Sequence, residues 1–292
     1  MEITIRSAVA RIVVVAAIAG AAFATTSTAA SSVDKTAAAL VPAKLKAKGT
    51  LVIASDASYA PNEFIGPDGH TVVGMDADLA KALFSVLGLK ASVVNATFAT
   101  IIPGLTSGKY DVGMSSMTDS KAREKQVNFV DYFVAGTSFL EKSSGGPKIT
   151  NLDSLCGLTV AVEAGTTELI DATGQKAKCT KEHKKPDTVL SFPTQSNANL
   201  ALSSGRAQVD LADTPIVRYQ AKLSNGAFKL VGQSYGFAPY GIAVPKQDGT
   251  LDKAILMALT DLIKNGQYKA ILNKWGIASG ADSKPVLNGA TS

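Results

Sequence analysis

Apolar and polar residues alternate along the chain in blocks that predict strands separated by helices. Short runs such as TLVIAS (50–55) and LTVAVEAG (158–165) have the β-branched, apolar character of buried strands. Between them, GMDADLAKALFSVLGL (74–89) places Leu79, Leu83 and Leu87 on one helical face, and Gly88 favours helix termination. The alternation predicts an α/β fold with mainly parallel sheets flanked by helices.

Two stretches rich in Gly, Pro and Ser, residues 142–148 and 232–241, divide the body into three pieces. The third piece is one strand and the helical stretch Leu251–Leu272, too short to bury a core alone. We therefore expect it to pack on the first piece, which gives two lobes joined by two crossings. The predicted bounds are 49–137 and 239–277 for lobe 1, 138–238 for lobe 2, 25–48 for a flexible tether and 278–292 for a disordered tail.

The N-terminal residues predict a secretory signal peptide. Arg6 and Arg11 precede an apolar run from Ile12 to Ala24, and small residues allow cleavage after residue 24 or as late as residue 30. The run has about 13 residues, whereas a membrane-spanning helix needs about 20. No cysteine stands near the cleavage site to carry a lipid. We expect an exported, extracytoplasmic protein.

Composition narrows the function classes. The formal charge of +5 comes from 29 basic and 24 acidic residues that are interspersed, which argues against a nucleic-acid partner. Cys156 and Cys179 are predicted to form a disulfide in an oxidising compartment. Closing the loop of 23 residues between them contributes about 3 kcal/mol to the stability of the fold. With two histidines and no nucleotide-binding glycine motif, we expect no metal and no cofactor.

The stretch SSMTDSKAREK (115–125) carries the main candidate chemistry. It follows a predicted strand, and ligands of open α/β sheets lie beyond the carboxyl ends of strands. The hydroxyls of Ser116 and Thr118 and the guanidinium of Arg123 suit a carboxylate, which Arg binds bidentately. The alternative is a helix capped by Asp119 or Ser120, with Arg123 in solvent.

Several motifs in order and spacing resemble one family: LVIASDASYAPNEF, GMDADLAKAL, residues 101–133, LTVAVEAGTT, GRAQVDLADTPIV, YGIAVPK and LIKNGQYKAILNKWG. The chain from about 49 to 277 is similar to extracytoplasmic solute-binding proteins of ABC importers, in the polar amino-acid group. The resemblance implies a two-lobe, hinged type II periplasmic binding protein fold. It also implies a monomer that carries an amino acid to a membrane permease.

The resemblance also implies roles for single residues. Arg123 corresponds to the arginine that binds the ligand α-carboxylate, and Ser116 and Thr118 correspond to the hydroxyls around it. Thr167, with Thr166 beside it, would complete the carboxylate shell through a backbone N–H, and Asp213 would bind the α-ammonium. The family usually has an aspartate where Gln208 stands here.

Side-chain selectivity is predicted from four further residues. Tyr59 and Phe98 resemble aromatic walls, and Asp56 resembles the acid at the distal end of the ligand. Glu163 stands at a strand end that faces ligand side chains in relatives, although it could instead cap the following turn. Two acids favour a cationic or amide ligand and repel glutamate. We expect arginine, lysine, ornithine or histidine, followed by glutamine or asparagine.

One further departure from the family pattern and two alternative functions remain open. Asn62 stands where the family usually has an apolar aromatic residue, so its role in ligand contact is open. An enzyme on the same fold, such as a dehydratase of a carboxylated ring, would use Glu163 as general acid or base. A sensing protein would present its bound ligand to a receptor rather than to a permease.

Overall fold

Strands of one large and one small sheet form the centre of residues 32–291, the part of the chain that the computed structural model describes. The predicted signal peptide and the first residues of the predicted tether lie outside the described residues. The strands are β1 (Thr50–Ser55), β2 (Ser58–Tyr59), β3 (Glu63–Ile65), β4 (Val72–Val73), β5 (Lys90–Asn95), β6 (Val112–Gly113), β7 (Val127–Lys142), β8 (Thr159–Glu163), β9 (Thr188–Phe192), β10 (Val209–Asp213) and β11 (Phe228–Pro245).

Helices pack on both sides of the large sheet. They are α1 (Lys35–Ala39), α2 (Ala43–Lys48), α3 (Met75–Val86), α4 (Ile101–Thr106), α5 (Lys121–Glu124), α6 (Thr167–Lys181), α7 (Gln195–Ser203), α8 (Thr214–Leu223), α9 (Leu251–Lys264) and α10 (Gln267–Trp275). Within residues 32–291, none of these helices combines the length and apolar character that crossing a membrane requires.

The large sheet has the strand order β5-β1-β6-β11-β7-β10-β8-β9. On one side β1 pairs in parallel with β5 and β6, and on the other β8 pairs in parallel with β9 and β10. We call the first group the strands of lobe 1 and the second group those of lobe 2. Antiparallel pairs occur where β7 and β11 join the two groups. The predicted α/β class with mainly parallel strands is confirmed.

The long strands β7 and β11 are the two connections between the lobes. They pair from Val127 with Pro245 to Lys142 with Phe228. The register shifts between Val231 and Tyr235 and again before Ala238. Residues 232–241 therefore form the irregular middle of one strand, because the bulges absorb the glycines and the proline that predicted a break. The predicted lobe bounds fall inside these two strands and stay a prediction.

The helical stretch Leu251–Leu272, predicted as one helix, is two. Gly266 adopts a left-handed conformation with φ of +84°, which ends the first helix and starts the second. Leu251, Ile255 and Leu259, spaced four residues apart on one face of the first helix, are fully buried in the core of lobe 1. Lobe 2 has its own apolar core around Phe139.

Residues 33–48, predicted as part of a flexible tether, are ordered, and that prediction is wrong for them. Asp34 caps α1, and Ala37, Val41 and Leu45 are buried in the core of lobe 1. The spacing of four residues puts these three side chains on the same side of the segment. The Ala and Lys content that indicated a tether is equally typical of helices.

The tail after residue 277, predicted as disordered, is ordered up to residue 291 and that prediction is also wrong. Its backbone pairs with the edge of β7 that faces away from β11: Leu287 bridges Val130, and the carbonyl of Val286 accepts from the N–H of Asp131 at 2.9 Å. An unpaired strand edge is a ready site for such pairing. Side chains of the tail contribute as well, since Asn288 accepts from the N–H of Phe129 at 2.7 Å and Leu287 packs against the core of lobe 1.

The predicted disulfide between Cys156 and Cys179 is confirmed. It ties the chain entering β8 to helix α6. Because it closes a loop of 23 residues, it stabilises lobe 2 by about 3 kcal/mol in the chain-entropy description.

Candidate ligand cleft

A small cleft lies between the two lobes where β6, β8 and β10 end. The space between its atoms is about 290 Å³ and is partly open to solvent. Seven predicted residues line it: Tyr59, Phe98, Ser116, Arg123, Thr166, Thr167 and Asp213. Three residues that were not predicted line it as well: Glu168, Gln195 and Ala212. Of the remaining predictions, Asp56, Thr118 and Glu163 lie outside the lining.

Arg123 reaches from lobe 1 across the cleft. Its Nη1 donates to the carbonyl of Thr118 at 2.7 Å, its Nη2 donates to the carbonyl of Gly165 at 2.9 Å, and the guanidinium lies 5.3 Å from the centre of the Phe98 ring. Ser120 accepts from the backbone N–H of Arg123 and caps α5, as the alternative predicted. Arg123 nevertheless lies in the cleft lining. The guanidinium is thus held at the cleft by lobe 1 and touches lobe 2.

The two lobes meet at further points beside Arg123. The backbone N–H of Gln195 in lobe 2 donates to the hydroxyl of Ser58 in lobe 1 at 3.1 Å. A Cβ added at Gly165, which has φ of +84°, would lie 3.0 Å from Ala99. The cleft is therefore nearly closed in this conformation, and Gly165 allows the close approach.

Ser116 has an unusual backbone conformation, with φ of 47° for a residue that carries a side chain. Its N–H donates to Asp76 at 2.8 Å, and its hydroxyl donates to Glu63 at 3.1 Å and accepts from the amide of Asn62 at 2.8 Å. This network holds Ser116 in place at the cleft. Asn62 is fully buried behind Ser116 and outside the lining, so its polar side chain supports the cleft wall.

The network beneath Ser116 contains two buried acids. Burial, followed by the charge of Asp76, raises the pKa of Glu63 well above its usual value. Burial also raises the pKa of Asp76 to about 6, although the hydrogen bond that Tyr132 donates to Asp76 at 2.7 Å lowers that pKa. Two carboxyls so close share a proton at neutral pH, since both cannot carry charge in a dry site.

A second acid pair, Asp56 and Glu163, lies behind the aromatic wall. Asp56 accepts from the hydroxyl of Ser58 at 2.6 Å and from the N–H of Phe98 at 2.9 Å. Glu163 is fully buried, and burial, followed by the charge of Asp56, raises its pKa to about 9. Neither of its carboxyl oxygens, nor the hydroxyl of Tyr59, has a hydrogen-bond partner of ordinary geometry among the described residues.

Helix α6 begins at the cleft with Thr166 as its cap. The hydroxyl of Thr166 accepts from the N–H of Leu169 at 3.3 Å and donates to the carbonyl of Glu163 at 2.8 Å. The alternative in which Glu163 caps this turn is therefore wrong. Thr167 is the first helical residue and its hydroxyl donates to Glu168 at 3.2 Å.

A third acid pair, Glu168 and Asp213, faces Arg123 in the lining. Glu168 also accepts from the hydroxyl of Thr137 at 2.8 Å. Burial, followed by the charge of Glu168, raises the pKa of Asp213 well above its usual value, and the charge of Arg123 opposes this. The cleft lining thus combines one guanidinium with one acid pair, and the second pair, Asp56 and Glu163, lies behind its aromatic wall.

Comparisons with known proteins agree with this geometry. The model of the bacterial extracellular solute-binding proteins, family 3, matches residues 51–278. The chain belongs to this family. It is 34% identical over 251 residues to the arginine-binding protein ArgT of Corynebacterium glutamicum, covering 86% of this chain and 82% of that protein.

Two further relatives of this family 3 solute-binding protein are informative. The ABC transporter glutamine-binding protein GlnH of Bacillus subtilis is 32% identical over 214 residues, covering 72% of this chain and 74% of that protein. The solved structure of an ancestral arginine-binding protein bound to arginine is 36% identical with a TM-score of 0.70, covering 78% of this chain and 98% of that one. The chain has the two-lobe type II periplasmic binding protein fold.

The departures from the family pattern have structural explanations in this solute-binding protein. The side-chain carbonyl of Gln208 accepts from the N–H of Thr159 at 3.0 Å, so it joins two strands away from the cleft. Glu168 was missed because an acid in the first turn of a helix is usual for electrostatic reasons alone. Its position after GTT, which faces the cleft, was the available signal.

Proposed function

We propose that this protein binds a cationic L-amino acid, arginine first among them, in the cleft and delivers it to the permease of an ABC importer. The observation that carries this proposal is the group of unpaired polar atoms behind the aromatic wall. Leaving buried acceptors without donors costs about 1–3 kcal/mol each. A guanidinium or ammonium supplies those donors to Glu163 and brings a positive charge close to Asp56.

Charge supports a cation over an amide at this end. In the empty cleft Glu163 is neutral at pH 7, because its pKa is about 9. A bound cation would lower that pKa and ionise Glu163, which adds attraction that a neutral amide cannot obtain. Glutamate would bring a third acid to the same place and would be rejected.

The other end of the cleft suits the zwitterionic part of an amino acid. Arg123 would bind the α-carboxylate, with Ser116 and Thr118 beside it and Thr167 from lobe 2 completing the shell. Asp213 would bind the α-ammonium. Because a buried unpaired charge costs several kcal/mol, the α-carboxylate and the α-ammonium both need partners at the same time. Groups from both lobes do so only in the closed form, so the ligand favours closure.

Delivery follows from closure. We propose that the protein is exported through a cleaved signal peptide at residues 1–24, carries no lipid anchor and acts as a monomer. The lobes, 49–137 with 239–277 and 138–238, would rotate about β7 and β11. The permease would then recognise the closed form, in which the ligand is enclosed.

A thermal-shift screen across the twenty amino acids, ornithine and citrulline tests the proposal. Ligands that bind only the folded state stabilise it by about 2.7 kcal/mol at 100 times Kd. We expect arginine, lysine, ornithine and histidine to raise Tm most. In Glu163→Gln, calorimetry should show arginine weakened at least about tenfold and glutamine by less than about threefold.

Glu182→Gln provides the matched control for that variant, because Glu182 is exposed at the end of α6 and pairs with Lys184. It should bind both ligands as the wild type does. Equal weakening of arginine and glutamine in Glu163→Gln would refute the selectivity argument. A screen in which no amino acid raises Tm would refute the binding function itself.

The protonated state of Glu163 also suits a general acid, which keeps one enzymatic alternative in view. Incubation with arogenate or prephenate would yield an aromatic product if the cleft dehydrates a carboxylated ring, and its absorbance reports the reaction directly. Turnover that is lost in Glu163→Gln would favour the enzyme over the binding protein.

A further inference from the structure

Glu168 is a buried acid that the binding scheme above does not use. Its side chain is nearly inaccessible, and no lysine, arginine or histidine within residues 32–291 forms an ion pair with it. It lies in the first turn of α6 and accepts from the hydroxyls of Thr137 and Thr167. Hydroxyl donors and a helix N terminus both favour negative charge.

Thr137 explains why this acid lies against Asp213. In the register of β7 with β10, Thr137 stands directly opposite Asp213. The hydroxyl of Thr137 holds Glu168, so the two carboxyl groups come within hydrogen-bonding reach of each other. Burial and the adjacent charge of Glu168 raise the pKa of Asp213 well above its usual value, which favours the protonated form of Asp213.

Within residues 32–291, the cation that acts on Glu168 and Asp213 is Arg123. From lobe 1 Arg123 and Tyr59 act on this pair, and from β11 Tyr240 lies beside Asp213. Within lobe 2 the neighbouring titratable groups that feel the charge of Glu168 are acids or a tyrosine: Glu163, Asp171, Asp210 and Tyr235. The site therefore has more acid than the single guanidinium balances.

We propose that Glu168 is a second acceptor for the α-ammonium of the ligand, and that the ammonium displaces a proton that Asp213 holds in the ligand-free protein. The ligand enters with its –NH₃⁺ group intact. The O–H bond of the Asp213 carboxyl breaks, its proton leaves to solvent, and the ammonium donates to both carboxylates. This inference rests on the proposed amino-acid binding, and it adds a proton to the binding equilibrium.

The test is calorimetric titration with L-arginine in buffers of different ionisation enthalpy, which counts the protons released on binding. The wild type should release more protons than Glu168→Gln, by about one per arginine. Release of one proton also makes wild-type affinity rise with pH. Below the pKa of Asp213 in the ligand-free protein, the rise is up to about tenfold per pH unit. Glu168→Gln should show a flatter pH profile, since Asp213 then ionises without an acidic neighbour.

Glu182→Gln is again the control and should release as many protons as the wild type. Equal proton release from the wild type and Glu168→Gln, with arginine binding intact, would overturn the inference and leave the proposed function standing. If Glu168→Gln does not fold, Glu163→Gln decides instead, because arginine cannot release a proton from residue 163 in that variant, and binding without proton release there also overturns the inference. A wild type that gives no binding heat with arginine or any amino acid refutes the proposed function instead.

Discussion

Replacing Arg123 with alanine is expected to abolish amino-acid binding while leaving thermal unfolding nearly unchanged. Arg123 is the cation of the cleft lining, and removing one partner of a buried charge pair costs about 3–5 kcal/mol, a loss of at least about 100-fold in affinity. Its hydrogen bonds within the fold go to two backbone carbonyls that water can satisfy, and protonation of Asp213 can offset the loss of its charge. We therefore expect the free energy of unfolding to fall by less than about 1.5 kcal/mol.

Calorimetry with L-arginine and a urea titration of the empty protein measure the two quantities separately. Arg206→Ala is the matched control, because Arg206 is exposed and lies over the ring of Phe192, away from the cleft. The control should bind as the wild type does. Affinity that survives in Arg123→Ala would remove the carboxylate role from this residue.

Asp213→Asn is expected to have the second largest effect, a loss of about 100-fold in arginine affinity. Asparagine keeps the shape of the side chain but supplies no negative charge to the α-ammonium, and losing one partner of a buried charge pair costs about 2–5 kcal/mol. The loss should be smaller than in Arg123→Ala, because Glu168 remains beside the ammonium. Calorimetry at constant pH measures it.

Asp153→Asn is the control for this variant in the same lobe. Asp153 is exposed and pairs with Lys178, outside the cleft lining. Its amide variant should bind within a few-fold of the wild type, and a loss equal to that of Asp213→Asn would contradict the assignment.

Local patterns predicted the regular elements of the fold well, because strands and helices depend on side chains near in sequence. TLVIAS became β1 and the helix before Gly88 became α3. The errors came from distant contacts. Residues 33–48 are ordered by the core of lobe 1, and the tail by an unpaired edge of β7, and neither partner is visible in the local sequence.

The cleft residues also differ in whether the sequence could predict them. Arg123 in α5 and Asp213 at the end of β10 are recognisable because each lies in a motif that resembles the family pattern. Glu168 is not, because its place against Asp213 depends on Thr137, a residue of β7 that is distant in sequence and comes close through strand pairing. Whether an acid of the first helical turn faces solvent or the cleft is decided by that pairing.

A crystal structure of the wild type grown with L-arginine tests the central claim most directly. We expect the α-carboxylate to accept from the guanidinium of Arg123, the α-ammonium to lie at Asp213 and Glu168, and the ligand guanidinium to reach Glu163. An arginine bound in the reverse direction, or a cleft that stays empty with Arg123 turned to solvent, would contradict it.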